Sequence, residues 1–263
     1  MKYFDSHAHY YDARFEEESE GAEKIIGALL SSSVSYIINA GTSPETCRLA
    51  INQAKRFENM FTVLGIHPTD CQDIEAPAEK VIEDLETLVL DKGNKCLAIG
   101  EIGLDYHWED TDREKQKNYF EEQMKLAEKL NLPVVIHDRD AHEDILTIIR
   151  KYPAVRGVLH SFSGSAEMAR EVISLGYMIS LSGTLTFTNA RRPKEAAAEI
   201  PLDKILIETD CPYLAPHPKR GTLNHSGNLE YTNRALAGIK GISEEECAAA
   251  TEENALRFFG LIK

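Results

Sequence analysis

The chain has 263 residues, with 27% charged and 43% apolar side chains, an ordinary globular composition that excludes intrinsic disorder and collagen-like structure. A chain of this length buries roughly 70–75% of its unfolded surface and needs no disulfide or metal staple to fold. Lysine and arginine number 29 against 43 acidic residues, a formal net charge of −14, so a basic coat for nucleic acid is excluded and any phosphate binding must be local. Bound cations could supply the missing positive charge.

The N-terminal Met1-Lys2-Tyr3-Phe4-Asp5-Ser6-His7 lacks the apolar core of a secretory signal. No apolar run approaches the ~18 residues of a membrane span. The first β-rich apolar run covers residues 3–9 and the second 34–39. Ser43-Pro44-Glu45 then reads as an N-cap, a proline at the first helical position and an acidic first turn. Further runs cover residues 61–66 and 96–102. The clearest helix is 112–131, where Phe120, Met124, Ala127 and Leu130 share one face and Glu and Lys the other. Runs at 134–137, 157–160, 177–181 and 205–209 complete the set, each followed by a helix-like segment. The stretch 211–229 is irregular and too long for an idle connection, which marks it as part of a site. Ser243 with Glu246 forms a capping box before the last helix.

Eight strand–helix units in this length predict an α/β fold of the (β/α)8 TIM-barrel type, with one domain over residues 1–263. An open, doubly wound sheet is the alternative, but its glycine-rich phosphate-binding fingerprints are absent. The cysteines, Cys47, Cys71, Cys96, Cys211 and Cys247, show no C-x-x-C spacing, which speaks against a disulfide framework or a cysteine zinc site. Cys211 reads as a small buried hydrophobe. The expectation is a soluble, cytoplasmic protein with no membrane contact and no obligate protein partner.

Polar residues fall at telling places on these strands. His7 and His9 end the first, Glu101 sits late in the fourth, His137 ends the fifth, His160 the sixth, and Asp210 follows the eighth. In a barrel these C-terminal strand ends form the face on which active sites are built. His7 and His9, two apart on a strand, project side by side. A lone strand-end histidine is more often a hydrogen-bonded structural residue, and H-x-H alone is a weak motif. Six such groups on one rim are a metal site: imidazole and carboxylate together suit hard or borderline divalent ions. Four His, one Glu and one Asp exceed the needs of one metal and suit two, with one carboxylate bridging.

The segments Asp5-Ser6-His7-Ala8-His9, Gly65-Ile66-His67-Pro68, Gly100-Glu101-Ile102-Gly103-Leu104-Asp105-Tyr106, His160-Ser161-Phe162-Ser163-Gly164 and Glu208-Thr209-Asp210-Cys211-Pro212-Tyr213-Leu214 resemble the signatures of the TatD family. Its members are metal-dependent deoxyribonucleases of the amidohydrolase-like barrels. The similarity runs almost end to end, through Asn254-Ala255-Leu256-Arg257-Phe258-Phe259-Gly260. The resemblance implies that His7, His9 and Asp210 hold one metal, His137 and His160 the other, and that Glu101 bridges them. It implies substrate contacts from His67, Arg139 and Ser161. Rim packing for His67 and an ion pair at a helix start for Arg139 are the plainer readings. The implied cofactors are two divalent ions, with Mg²⁺, Mn²⁺, Zn²⁺ and Fe²⁺ all compatible with the ligands. They would acidify a water for in-line attack on phosphorus, with Glu101 and Asp210 as catalytic carboxylates and Asp210 as the proton acceptor.

One segment departs from the family pattern. After Lys219-Arg220-Gly221 the family usually carries a basic-Asn-Glu-Pro stretch, whereas this chain reads Thr222-Leu223-Asn224-His225-Ser226-Gly227-Asn228. Asn224 is kept and His225-Ser226 replaces Glu-Pro, which bears on substrate grip rather than on the ligands. Arg191-Arg192-Pro193-Lys194 and Lys219-Arg220 could guide a nucleic-acid backbone or be solvated surface. Trp108 could stack on a base or pack on a neighbouring loop. The expected function is hydrolysis of DNA phosphodiesters, on single strands and from an end. A hydrolase of small-molecule amides or esters is the alternative. Its binuclear members often carry a carboxylated lysine where this chain has Glu101, which favours the nuclease. A non-catalytic metal-binding protein would be expected to have lost a ligand, and none of the six is missing.

Overall fold

Each apolar run becomes a parallel strand, mostly buried on both faces, as strands covered by crossover helices must be. The computed structural model describes residues 1–17 and 21–262. Among them the order is β1 (Tyr3–Ala8), α1 (Gly21–Ser31), β2 (Val34–Gly41), α2 (Pro44–Ala54), β3 (Met60–Leu64), α3 (Ala78–Leu90), β4 (Cys96–Asp105), α4 (Arg113–Leu130), β5 (Val134–Arg139), α5 (His142–Ile149), β6 (Gly157–Leu159), α6 (Ala166–Ser174), β7 (Met178–Leu181), α7 (Arg191–Glu199), β8 (Ile205–Ile207), α8 (Leu229–Lys240) and α9 (Glu244–Phe258). The strands form one parallel sheet in sequential order, β1 to β8. This is the (β/α)8 barrel. No helix among the described residues is long and apolar enough to cross a membrane.

Helix ends follow their local chemistry. Ser43 caps α2 by accepting from the Thr46 amide, and the Thr46 hydroxyl accepts from the Ser43 amide in return. Asp112 caps α4, and Asn131 closes it in the left-handed conformation at φ 52°. Ser243 and Glu246 make the reciprocal capping box of α9. The barrel interior is filled by Phe4, Val63, Val135, Val158 and Leu206, against which Phe258 and Phe259 at the end of α9 pack. Phe259 stacks on Phe4 with ring centroids 5.7 Å apart.

β8 has three residues, and the seam between β1 and β8 is held by other means. The Asp210 amide donates to the His7 carbonyl (2.9 Å) and the His9 amide to the Cys211 carbonyl (2.7 Å). The buried Asp5 carboxylate accepts from the Thr209 amide (3.0 Å) and hydroxyl (2.6 Å). Ser6 donates to the Ile207 carbonyl (3.0 Å). These bonds join β1 and the residue after it to β8 and the chain leaving it, so the seam itself sets His7 and His9 beside Asp210.

Candidate metal centre

Two irregularities in the barrel aim the polar groups. Pairing of β1 with β2 shifts register between Asp5 and Ala8, around His7. Pairing of β4 with β5 shifts between Ile99 and Ile102, around Glu101, where the Gly100–Glu101 peptide is cis. Bulge-like shifts of this kind re-aim side chains beside active sites. Close backbone approach is part of the design. A Cβ on Gly65 would sit 2.6 Å from the Gly100 carbonyl carbon, and one on Gly103 would collide with the His137 carbonyl oxygen.

The six residues expected to hold metal converge. On one side, His7 Nε2 lies 3.1 Å from Glu101 Oε2 and 3.0 Å from His9 Nε2. His9 Nε2 lies 3.2 Å from Asp210 Oδ1 and 3.5 Å from Glu101 Oε2. On the other side, Glu101 Oε1 lies 2.8 Å from His160 Nε2 and 2.9 Å from His137 Nδ1, and those two nitrogens are 3.2 Å apart. The two oxygens of one buried carboxylate thus face two different sets of imidazoles.

The donor set fits divalent cations. Ligand bonds of about 2.0–2.2 Å place neighbouring ligand atoms roughly 3.0–3.5 Å apart around a tetrahedral or octahedral ion. The spacings above fall close to that range. Three overlapping groups, His7–His9–Glu101, His7–His160–Asp210 and His67–Glu101–His137, have ligand atoms within 4.8 Å of one another.

A further ring of groups, given no role by sequence reasoning, orients the histidines. Asp105 Oδ2 lies 3.2 Å from His137 Nε2, and Glu208 Oε1 lies 3.2 Å from His160 Nδ1. The Ala40 carbonyl accepts from His9 Nδ1 at 2.9 Å, which turns Nε2 inward. Such partners fix the ring orientation of a metal-binding histidine and raise its basicity. The signal for Glu208 was its position two residues before Asp210. β4 runs to Asp105, three residues beyond the expected strand, and that extension pairs Asp105 with Arg139 beside His137.

The site's charges are arranged against the cost of burial. Burial opposes ionisation of Glu101, yet His160, His67, His7 and His137 hold its pKa well below the ordinary value. Burial likewise opposes a charged His160, but Glu101 and Glu208 raise its pKa well above 6.5. His137 and His9 are raised in the same way, against burial, by Asp105 with Glu101 and by Asp210 with Glu101. His7 and His67 are lowered, by burial first and then by a neighbouring histidine.

The three residues expected to contact substrate are placed differently from one another. His67 reaches into the cluster, with Nε2 3.4 Å from Glu101 Oε1 and Nδ1 2.7 Å from the Thr69 hydroxyl. Arg139 is exposed and lines the cleft. Ser161 turns its hydroxyl to Ser182 (2.8 Å), gives its amide to Glu208 (2.7 Å), and is not among the cleft-lining residues. Ser161 and Asp210 both hold left-handed backbone, at φ 41° and 56°. Residues kept in such conformations cluster at functional sites. The cleft has a volume of about 440 Å³. Arg139 is its one lining Lys or Arg among the described residues, against Asp12, Asp70, Glu101, Asp105 and Asp210.

The basic runs lie elsewhere. Arg191 pairs with Glu195 on α7, and Arg220 rests over Phe187, 4.3 Å from its centroid. The departing loop is a buttress. Buried Asn224 donates to the carbonyls of Thr209 (2.9 Å) and Tyr213 (2.7 Å), and Ser226 meets the Tyr10 hydroxyl at 2.8 Å. Cys211 is fully buried, and burial holds its thiol pKa well above the ordinary value.

A family model described as TatD related DNase matches residues 4–260. The chain belongs to the TatD family. It is 39% identical over 258 residues to YabD of Bacillus subtilis, described as an uncharacterized metal-dependent hydrolase, covering 97% of this chain and 98% of that one. YcfH of Escherichia coli K12, with the same description, is 34% identical over 258 residues, covering 97% and 94%. Among solved structures, the TatD homologue YjjV of Escherichia coli K12 superposes with a TM-score of 0.89 at 27% identity, covering 98% of each chain. An Escherichia coli phosphotriesterase homology protein, at 14% identity and a TM-score of 0.68, shares the fold.

Proposed function

We propose that this TatD-family protein is a divalent-metal-dependent hydrolase that cleaves phosphodiester bonds of DNA, acting on single strands from an end. The observation that carries this reading is Glu101, whose two oxygens face separate ligand sets 2.8–3.5 Å away. The metal-dependent hydrolases YabD and YcfH support the metal chemistry, and the family's description as DNase-related supports the phosphodiester. His7, His9 and Asp210 would hold one cation and His137 and His160 the other, with Glu101 offering one oxygen to each set.

When bound, the two ions acidify water and neutralise charge on the phosphate. The chain's own residues do the rest. Asp210, with Oδ1 turned to His9, accepts the proton of the attacking water at Oδ2. Arg139, the cleft's lone Lys or Arg among the described residues, holds a phosphate oxygen beside the scissile one. His67, fixed at Nδ1 by Thr69, orients the phosphate from the Glu101 side.

The test is a time course on end-labelled single-stranded DNA with Mg²⁺ or Mn²⁺, with chelator, and with Glu101→Ala. Stepwise shortening by wild type alone, stopped by chelator, is the expected result. Absence of cleavage with any metal would overturn the phosphodiester reading in favour of a small-molecule ester or amide. Full activity of a fully metal-loaded Asp210→Asn would remove its proton role.

A further inference from the structure

Two large aromatic side chains stand exposed in the cleft, Trp108 at 53% and Tyr213 at 47%. The rest of the lining is charged, imidazole or hydroxyl groups, so these two solvated rings are the flat apolar faces the cleft offers a ligand. Trp108 lies in the loop after β4 and Tyr213 in the segment after β8. In an eight-stranded barrel of sequential order those strands are diametrically opposed. The two rings therefore face the mouth from opposite sides, with the Glu101 cluster between them.

Both rings are held, and each carries a guanidinium. The Tyr213 hydroxyl donates to Asp12 Oδ2 (3.2 Å). Arg14 sits 4.0 Å from the Tyr213 centroid, itself fixed to Asp12 by bonds of 2.8 and 2.7 Å. The ring also meets His9 edge-on at 6.3 Å, next to the first ligand set. Across the mouth, Arg139 lies 5.8 Å from the Trp108 centroid, and His107 meets that ring edge-on at 5.1 Å. Arg139 follows His137 by two residues on β5, so Trp108 flanks the second set.

We propose that Trp108 and Tyr213 are paired stacking platforms that hold the two nucleobases flanking the scissile phosphodiester. This rests on the phosphodiesterase reading and narrows its substrate to an unpaired stretch with a base on each side of the cut. Every base offers a flat face, so the grip is tolerant of sequence. It excludes duplex, whose bases already stack on one another. One face of Tyr213 is taken by Arg14, and a base meets the other.

Trp108 is the chain's single tryptophan, so its emission reports on one wall of the cleft. The experiment titrates Mg²⁺-loaded protein with a cleavage-resistant phosphorothioate oligothymidylate, and with the abasic phosphorothioate chain of the same length. Affinities are read in parallel from the anisotropy of an end label. The oligothymidylate is expected to quench Trp108 and to bind more tightly than the abasic chain. Trp108→Ala and Tyr213→Ala should each weaken it by roughly 5- to 150-fold, while Tyr213→Phe, which keeps the ring but loses the Asp12 bond, should lose clearly less than Tyr213→Ala. Equal affinity for the two chains would overturn the platforms and leave the phosphodiester reading intact. Loss in Trp108→Ala with none in Tyr213→Ala would overturn the paired grip. Failure of both chains to bind would overturn the phosphodiester reading and the platforms with it.

Discussion

Glu208→Gln is the perturbation that most directly probes how the barrel prepares its ligands. Glu208 is fully buried. Its Oε1 faces His160 Nδ1 at 3.2 Å and accepts from the Ser161 amide at 2.7 Å, while Oε2 has no partner among the described residues. Glutamine keeps the shape and the acceptor for Ser161 but removes the charge behind His160. His160 then loses part of its basicity as a ligand. Loss of such a supporting carboxylate costs about 10- to 100-fold in metal affinity, or about 1.4–2.7 kcal/mol. The new amide N–H₂ enters the unpartnered Oε2 position, which costs about 1–3 kcal/mol of folding stability as an unsatisfied buried donor. Calorimetric titration of metal-stripped protein separates the effects, with urea denaturation of the metal-free variant as the companion measurement. One binding event should weaken, that of the His137–His160 set, while the His7–His9–Asp210 set changes little. An isotherm identical to wild type, or equal weakening of both events, would refute the assignment of Glu208 to His160.

Protons should compete with metal. Burial opposes charge on His160, His137 and His9, but facing carboxylates raise their pKa values above 6.5, and a ligating nitrogen must be free of its proton. Metal affinity should therefore fall as pH drops through these raised values, with proton release seen by calorimetry in buffers of different ionisation enthalpy. The sign for the metal-free fold is opposite: these histidines stabilise it fully below 6.5, and that contribution is lost as pH rises through their folded values. Melting of chelator-treated protein over that range reads it directly. Gly103→Ala forces a Cβ into the His137 carbonyl at φ +139° and should cost about 3 kcal/mol or more, with loss of metal binding even where the variant folds. Asn224→Ala removes the donors to Thr209 and Tyr213 and the acceptor for Asn228 Nδ2 (2.9 Å), so urea denaturation should show a loss of about 2–5 kcal/mol.

The eight strands and the capped helices were legible because their signals are local. Apolar runs of strand length, a Ser-Pro-Glu helix start and a Ser-x-x-Glu box each act within a few residues. The faint runs 34–39 and 177–181 appear as β2 and β7. The strand ends at β6 and β8 were read one and two residues too long. The His160 and Glu208 amides still reach the neighbouring strand, at the Ile136 and Leu181 carbonyls, and the Thr209 amide turns to the Asp5 side chain instead.

Residue types and spacing by themselves determined that a barrel forms and that four histidines and two carboxylates reach its rim, because strand periodicity and strand order are properties of the chain read in one dimension. Only the tertiary structure decided how those groups meet. It turned one Glu101 oxygen to each of two groups of imidazoles, drew His67 into the cluster, turned the Ser161 hydroxyl to Ser182, and set Asp105 and Glu208 behind His137 and His160. It also stood Trp108 and Tyr213 on opposite sides of the mouth. These are distances of a few ångströms between residues up to about two hundred positions apart, set by register shifts, tight glycine contacts and the β1–β8 seam, and no local pattern in the sequence encodes them.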